Sequence, residues 1–278
     1  MLRRSARRDA GRLLVEGPAA LSAALAAGRV LEVFATSVAA ERHATLLAPA
    51  SAGRARLSLI DDAAAAALSE TVTPQGLVGV ATLPAAGLDD LPARPRLVAV
   101  LLEARDPGNA GTIIRTADAA GADAVILAGA SVDPWGGKCV RASAGSVFSL
   151  PVIDGVPLEP VLQALSARGC RVLAADGYGD TNLDDEIDTG RLEQPTAWLF
   201  GNEARGLPDA AVGAAAAAVA VPVYGAAESL NLAAAAAVCL YASARAQHRP
   251  RRSAESARSA RSARSAQPTD AHEEGQER

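Results

Sequence analysis

The sequence predicts an α/β protein of two domains, the second built on a parallel sheet. Three observations predict it. Continuous apolar runs recur at Leu97–Leu102, Ala124–Leu127, Arg171–Ala175, Ala197–Phe200 and Val219–Val223, the pattern of strands buried on both faces. Helical segments separate most of these runs, as in βαβ units. A stretch dense in proline and turn formers, PAAGLDDLPARPR at 84–96, divides this region from a shorter alternation of helix and strand before it.

Taken in order, the first residues, MLRRSARRDAGR, have the arginine content of a transit peptide. They run into LLVEGPAALSAAL with Glu16 and no cleavage-like pattern, which predicts no targeting segment. Pro18–Ala27 reads as a helix with a proline in its first turn. Val30–Thr36 alternates like a strand, Glu41–Ala48 reads as helix, and Leu57–Ile60 as extended chain. Asp61 and Asp62 offer caps to the alanine run ending at Leu68. Leu77–Thr82 is a valine-rich strand after the turn Pro74-Gln75-Gly76. The expected boundaries are a first domain at 1–83, a linker at 84–96, a second domain at 97–246 and a tail at 247–278. From about Arg249 that tail repeats Ser-Ala-Arg and ends in an acidic run, too poor in apolar surface to offset its ordering entropy, so disorder is expected there. Residues 210–227 carry no charge, but they are mostly alanine and are interrupted by Gly213, Pro222 and Gly225, so they predict no membrane span.

Composition narrows the function classes. Half of the 278 residues are hydrophobic and the formal net charge is −4, which excludes a wholly disordered chain and a histone-like polycation. Any nucleic-acid contact must come from a local basic patch, for which Arg3, Arg4, Arg7, Arg8 and Arg12 are candidates; a solvated face is the alternative. Aromatic residues are only 3%, so a broad base-stacking platform is excluded as the mode of recognition. Cys139, Cys170 and Cys239 are far apart with no CxxC pair. That spacing predicts neither a structural zinc nor a disulfide framework, and fits the reducing cytoplasm. His43, His248 and His272 lie in a helical pattern or the tail, which argues against a histidine-based triad.

Three polar clusters follow directly on buried-type strands. The first runs from Glu103 through Pro107, Gly108 and Asn109 to Arg115, with Asn109 near the start of the next helix and Arg115 about one and a half turns inside it. The second is LFGNEARGLP, carrying Leu199, Gly201, Asn202, Glu203 and Arg205. The third is VPVYGAAESLN, carrying Val221, Glu228, Ser229, Leu230 and Asn231. Singly, Asn109, Ser229 and Asn231 read equally well as helix caps, Arg115 and Glu203 as a structural ion pair, and Arg205 as a solvated charge. In a parallel sheet, however, loops at the carboxyl ends of strands line one edge, where ligands bind. Three such loops predict one polar site with no metal.

The strings DPGNAGTIIRTADAAGADAVIL, LFGNEARGLP and VPVYGAAESLNLAAAAAVCLY resemble the three signature motifs of the SpoU/TrmH branch of the SPOUT RNA methyltransferases, in that family's order and spacing over 97–244. The stretch LLVEGPAAL…TPQGLVGVA is similar to the ribosomal-protein-like substrate-binding domain that precedes the catalytic domain in ribosomal RNA members. Within the family the chain is similar to the methyltransferases of thiostrepton and avilamycin resistance. The resemblance implies S-adenosylmethionine as cofactor, a ribose 2′-hydroxyl of ribosomal RNA as acceptor, a deep trefoil knot and a homodimer joined through the knotted domain. By motif match, Asn109, Arg115, Glu203, Ser229 and Asn231 are implied at the reacting ribose. Leu199, Gly201, Asn202, Val221 and Leu230 are implied around the adenosyl group, and Arg141, with Arg8 and Arg12 from the basic cluster, at RNA. Family members often carry Ser or Thr where this chain has Ala233, which puts one secondary contact in doubt. A tRNA substrate, or a non-catalytic scaffold of the same fold, stays open at this point.

Overall fold

The computed structural model describes residues 3–49 and 55–248. Gly11, in the left-handed region at φ 61°, ends helix α1 (Arg4–Ala10) and turns the chain into strand β1 (Arg12–Glu16). There follow α2 (Pro18–Ala26), β2 (Val30–Ala35), α3 (Ser37–Arg42), α4 (Ala44–Pro49), β3 (Arg56–Leu59), α5 (Asp62–Leu68) and β4 (Leu77–Thr82). These strands form a four-stranded sheet in the order β1-β4-β2-β3, antiparallel except between β2 and β3. Asp61 caps α5 by accepting from the Ala64 amide. The single helix expected at Glu41–Ala48 is instead two. Thr36 accepts from the Ala39 amide and starts α3 four residues early, and His43, at φ −112°, ψ 27°, separates it from α4.

Beyond residues 84–96, which hold only a 3-10 turn at Leu88–Asp90, the second sheet begins. Its elements are β5 (Leu97–Leu102), α6 (Pro107–Ala119), β6 (Ala124–Ala128), α7 (Gly137–Ala142), β7 (Val152–Val156), α8 (Leu158–Ala167), β8 (Arg171–Ala175), β9 (Thr181–Asn182), α9 (Leu183–Asp188), β10 (Thr196–Phe200), α10 (Asp209–Gly213), β11 (Ala217–Ala220) and α11 (Leu232–His248). The seven strands are parallel in the order β7-β6-β5-β10-β8-β11-β9. Every residue of β5, β6 and β10 is buried, so their apolar runs serve cores on both faces. The last strand is displaced from the expected Val219–Val223. It ends at Ala220, ahead of Pro222, which has no N–H to give a ladder.

Two features of this sheet set the site. β5 pairs with β6 on one side and with the late strand β10 on the other, both in parallel, so the order in which strands are added reverses between β5 and β10. β11 lies between β8 and β9, two strands joined directly by residues 176–180. Gly179 of that connection passes against β11 so closely that a Cβ there would stand 2.5 Å from the Ala218 carbonyl oxygen. α11 is fixed to the sheet by a buried hydrogen bond from Trp198 Nε1 on β10 to Ser243 Oγ, 2.9 Å.

Both sheets lie in one compact unit. Side-chain ion pairs link them: Arg4 and Arg8 of α1 to Asp154 on β7, buried Arg7 to Asp133, and Arg141 of α7 to Glu16 at the end of β1 (2.9 Å) and to Glu70 (3.7 Å). α11 runs through His248, across the expected tail start at 247, and the rest of the expected tail lies outside the described residues. No described helix is long and apolar enough to cross a membrane.

Candidate active site

The site is assembled at the N-terminus of α6. Asp106 caps this helix, its Oδ1 accepting from the Asn109 amide at 2.7 Å, and Pro107 fills the first position. Lys138 of α7 donates to the other oxygen of Asp106 at 2.9 Å. That bond, with the Asn109 amide, outweighs the slight desolvation and holds the Asp106 carboxyl below its ordinary range. Gly111, one turn on, lets α7 approach: a Cβ there would lie 2.4 Å from the Cys139 carbonyl oxygen and 2.6 Å from Ala142 Cβ.

A single hydrogen-bonded chain ties the three loops together. Glu203 accepts from the backbone amides of Arg105 and Asp106, both at 3.2 Å, and from Asn109 Nδ2 at 3.4 Å. Asn109 Oδ1 accepts from Asn231 Nδ2 at 3.2 Å, and Asn231 Oδ1 caps α11 through the amides of Ala233 and Ala234. Burial pushes the Glu203 pKa up. The surrounding amide donors outweigh it, so the net shift is downward and the group is a fixed anion near neutrality. Glu203 is therefore an anchor for the α6 turn, already occupied by donors, and not a poised proton acceptor.

These residues face a cavity of about 410 Å³ beyond the carboxyl ends of β10 and β8. Of the residues singled out in the sequence, Asn109, Gly201, Asn202, Glu203, Ser229, Leu230 and Asn231 line it. Leu199 does not: strand alternation puts its side chain in the core on the opposite face, and Phe200 takes the lining position instead. Val221 packs against the main core. Arg115 stands exposed on α6, on the same stripe as Gly111 and about a third of a turn from the Asn109 stripe, and lines no part of this cavity. Ala175, Gly206, Leu232 and Ala235 also line it. As small or aliphatic residues they carry no sequence signal of chemistry. The third-loop position Ala233 is buried and presents no hydroxyl.

Asn202 and Arg205 have roles that the sequence hides. Asn202 Nδ2 donates to the Glu103 carbonyl at 2.8 Å while its Oδ1 accepts from the amides of Ala204 and Arg205, so it shapes the 201–206 loop from within. Arg205, which alone reads as a solvated charge, pairs with Glu103 at 2.7 Å. Glu103 itself adopts φ 51°, a left-handed conformation uncommon for a residue with a Cβ. It turns the chain out of β5 so that the amides of Arg105 and Asp106 meet Glu203.

The cavity fits an adenosyl group. It combines apolar Phe200, Leu230 and Leu232 with the polar ends of three loops. Along 221–230 no backbone group is hydrogen-bonded among the described residues, leaving main-chain donors and acceptors to a ligand. The cysteines take no part. Burial pushes the thiols of Cys139 and Cys239 up to about 12 and that of Cys170 up to about 11. Among the described residues no three His, Cys, Asp or Glu side chains gather as a metal site.

The expected RNA contacts Arg141, Arg8 and Arg12 are not among the residues lining this cavity. Arg141 is engaged by Glu16 and Glu70 between the two sheets, and Arg8 by Asp154, while Arg12 is exposed at the start of β1. In the arginine-rich start, Arg4, Arg7 and Arg8 are thus ion-paired with Asp154 and Asp133. A helix of alternating contacts cannot be told from a basic patch without its acidic partners, and these lie more than a hundred residues away.

Residues 96–241 match the SpoU rRNA Methylase family, and residues 14–85 the RNA 2′-O ribose methyltransferase substrate binding family. The chain is 37% identical to a 23S rRNA (guanosine(2553)-2′-O)-methyltransferase of Bacillus subtilis, over 66% of this chain and 70% of that protein. It is 38% identical to a 23S rRNA (uridine(2479)-2′-O)-methyltransferase of Streptomyces viridochromogenes, over 62% of this chain and 61% of the other. Among solved structures it is similar to the SpoU methyltransferase AviRb from Streptomyces viridochromogenes in complex with AdoMet. That match has a TM-score of 0.76 and 30% identity, covering 90% of this chain and 95% of that one.

Proposed function

The chain belongs to the SpoU rRNA methylase family, and from that premise we propose that it transfers a methyl group from S-adenosylmethionine to a ribose 2′-hydroxyl of large-subunit ribosomal RNA at the cavity beneath Asn109. The observation that carries this reading is the unbroken chain Glu203–Asn109–Asn231, which joins all three motif loops around one nucleoside-sized space. S-adenosylmethionine supplies an electrophilic methyl group when bound. Gly201, Leu230 and the free main chain of 221–230 would hold it.

The protein's task is to bring a poor nucleophile into line and to accommodate the charge as its proton leaves. Asn109 has both halves of its amide fixed, one by Glu203 and one by Asn231, so it offers a rigid reference for the ribose. Ser229, exposed on the rim, adds a hydroxyl that can donate or accept. Arg115 carries the permanent charge. A guanidinium stays protonated in proteins, so its part is to orient a substrate phosphate and stabilise the developing alkoxide, not to accept the proton.

Residues 1–83 serve in this reading as the RNA substrate-binding domain, joined by 84–96 to a catalytic domain over 97–246, with the enzyme acting in the cytoplasm. The passage of β11 under the connection between β8 and β9 supports a trefoil knot. Exposed Val238 and Tyr241, one turn apart on α11, support pairing with a second copy. The test is transfer of labelled methyl from S-adenosylmethionine to total rRNA and, separately, to tRNA, both from a strain lacking the gene. Label recovered from rRNA as a 2′-O-methylnucleotide, and lost with Arg115→Ala, is the expected result. Label in tRNA alone would overturn the substrate class, and no cofactor binding would favour a scaffold.

A further inference from the structure

Lys138 is the only lysine in the chain. Its ammonium lies 2.9 Å from Asp106 Oδ2, and the other oxygen of that carboxylate accepts from the Asn109 amide. The charge therefore stands at the first turn of α6, on the side chain's free end, next to the asparagine that faces the cavity. Gly108 leaves the turn bare: a Cβ there would meet Asp106 Oδ1 at 2.7 Å and Lys138 Cε at 3.6 Å. Arg105, three residues earlier on this turn, is exposed, and its guanidinium has no partner among the described residues.

We propose that Lys138, with Arg105, forms the subsite for the RNA phosphodiester next to the target ribose; this rests on the RNA 2′-O-methylation reading above. Three features carry it. Two cations of α7 and α1 are held in less exposed pairs: Arg141 with Glu16 and Glu70, and Arg7 with Asp133. The Lys138–Asp106 pair, unlike those two, is solvated, with side chains 62% and 44% exposed, so water already competes for it and a phosphate can take the ammonium at little cost. Of the carboxylates at this edge, Glu203 is covered by amide donors and Glu103 by Arg205, which leaves Asp106 as the one anion Lys138 must exchange. A 2′-hydroxyl is one sugar carbon from the carbon bearing its own 3′-phosphate. A site that brings that hydroxyl to Asn109 must place a phosphodiester within a few ångströms of the α6 turn.

The single lysine makes the test specific. Reductive methylation with formaldehyde is followed by mass spectrometry, with and without an unmodified 23S rRNA transcript. The expected result is several-fold protection of Lys138 by the transcript. In binding and kinetics, Lys138→Met is expected to raise the KM for the transcript about tenfold. It should also lower the slope of log affinity against log salt by roughly one, with S-adenosylmethionine affinity and thermal midpoint unchanged; Lys138→Arg should restore both. Equal labelling with and without transcript, or an unchanged salt slope, overturns the subsite. A rise in the cofactor's Kd in place of the RNA KM also overturns it. These failures differ from failure of the underlying reading, in which the unaltered protein neither binds nor methylates the transcript.

Discussion

At the scale of single residues, Glu203 and Arg115 would serve the proposed reaction in two different ways, neither of which moves a proton. Glu203 spends its lone pairs on the Arg105 and Asp106 amides and on Asn109. Glu203→Gln keeps the size but removes the charge and turns an N–H donor toward other donors. Its expected effect is a fall in kcat of about ten- to a hundredfold, on the scale of hydrogen bonds to a charged group, with the cofactor's Kd little changed. Methyl-transfer kinetics beside calorimetric titration of S-adenosylmethionine measure the split. Among the described residues, Arg115 has no such network around it. If its role is electrostatic, Arg115→Lys retains clearly more activity than Arg115→Ala, which should lose about 10²–10³ in rate. A lysine variant as inactive as the alanine one, with RNA and cofactor binding intact, would contradict that role.

At the scale of elements, the α6–α7 pair positions the chemistry. Gly111 is the contact point, where a methyl group would stand 2.4 Å from a backbone oxygen and 2.6 Å from Ala142. Alanine is the better helix former, but here α7 would have to withdraw, carrying Lys138 and Arg141 with it. Gly111→Ala is therefore expected to destabilise by about 1–3 kcal/mol, the cost of overpacking a core, measured by denaturant titration, and to lower kcat through Asn109. A neutral or stabilising result would mean that the helices slide apart freely. The elements easiest to read in the sequence were of this kind: Leu97–Leu102 and Leu77–Thr82 stand where their apolar and valine-rich patterns predict. The helix at Glu41–Ala48 failed because Thr36 reads as the end of a strand, though its hydroxyl caps the next helix. The last strand failed because Val221 and Val223 continue an apolar run that Pro222 prevents from pairing.

At the scale of the whole molecule, Glu16 and Arg141 join the first sheet to the second. Burial raises the Glu16 pKa, but the hydroxyls of Ser69 and Thr71 and the charge of Arg141 outweigh it, so the folded value lies below the ordinary 4.5. A depressed carboxylate contributes stability that is complete above its unfolded pKa and is lost as pH falls through the folded one. Thermal melts of the unaltered protein and Glu16→Gln should therefore differ most at neutral pH and converge as pH falls below 4.5. Parallel curves across that range would show that the carboxylate does not link the sheets through its charge.

By itself the sequence determined the chemistry-bearing loops, because each follows a strand whose burial is written in a continuous apolar run, and loops after parallel strands must share an edge. That alone put Asn109, Glu203, Ser229 and Asn231 together, and the structure gathers all four around one cavity. The tertiary structure decided the partners. Arg141, Arg4, Arg7 and Arg8 have carboxylate partners that the sequence does not reveal. Leu199 and Phe200 exchange roles because strand alternation is fixed only once the two faces are known. Charge pairing and facing are properties of distance in space, and a single chain records distance only along itself.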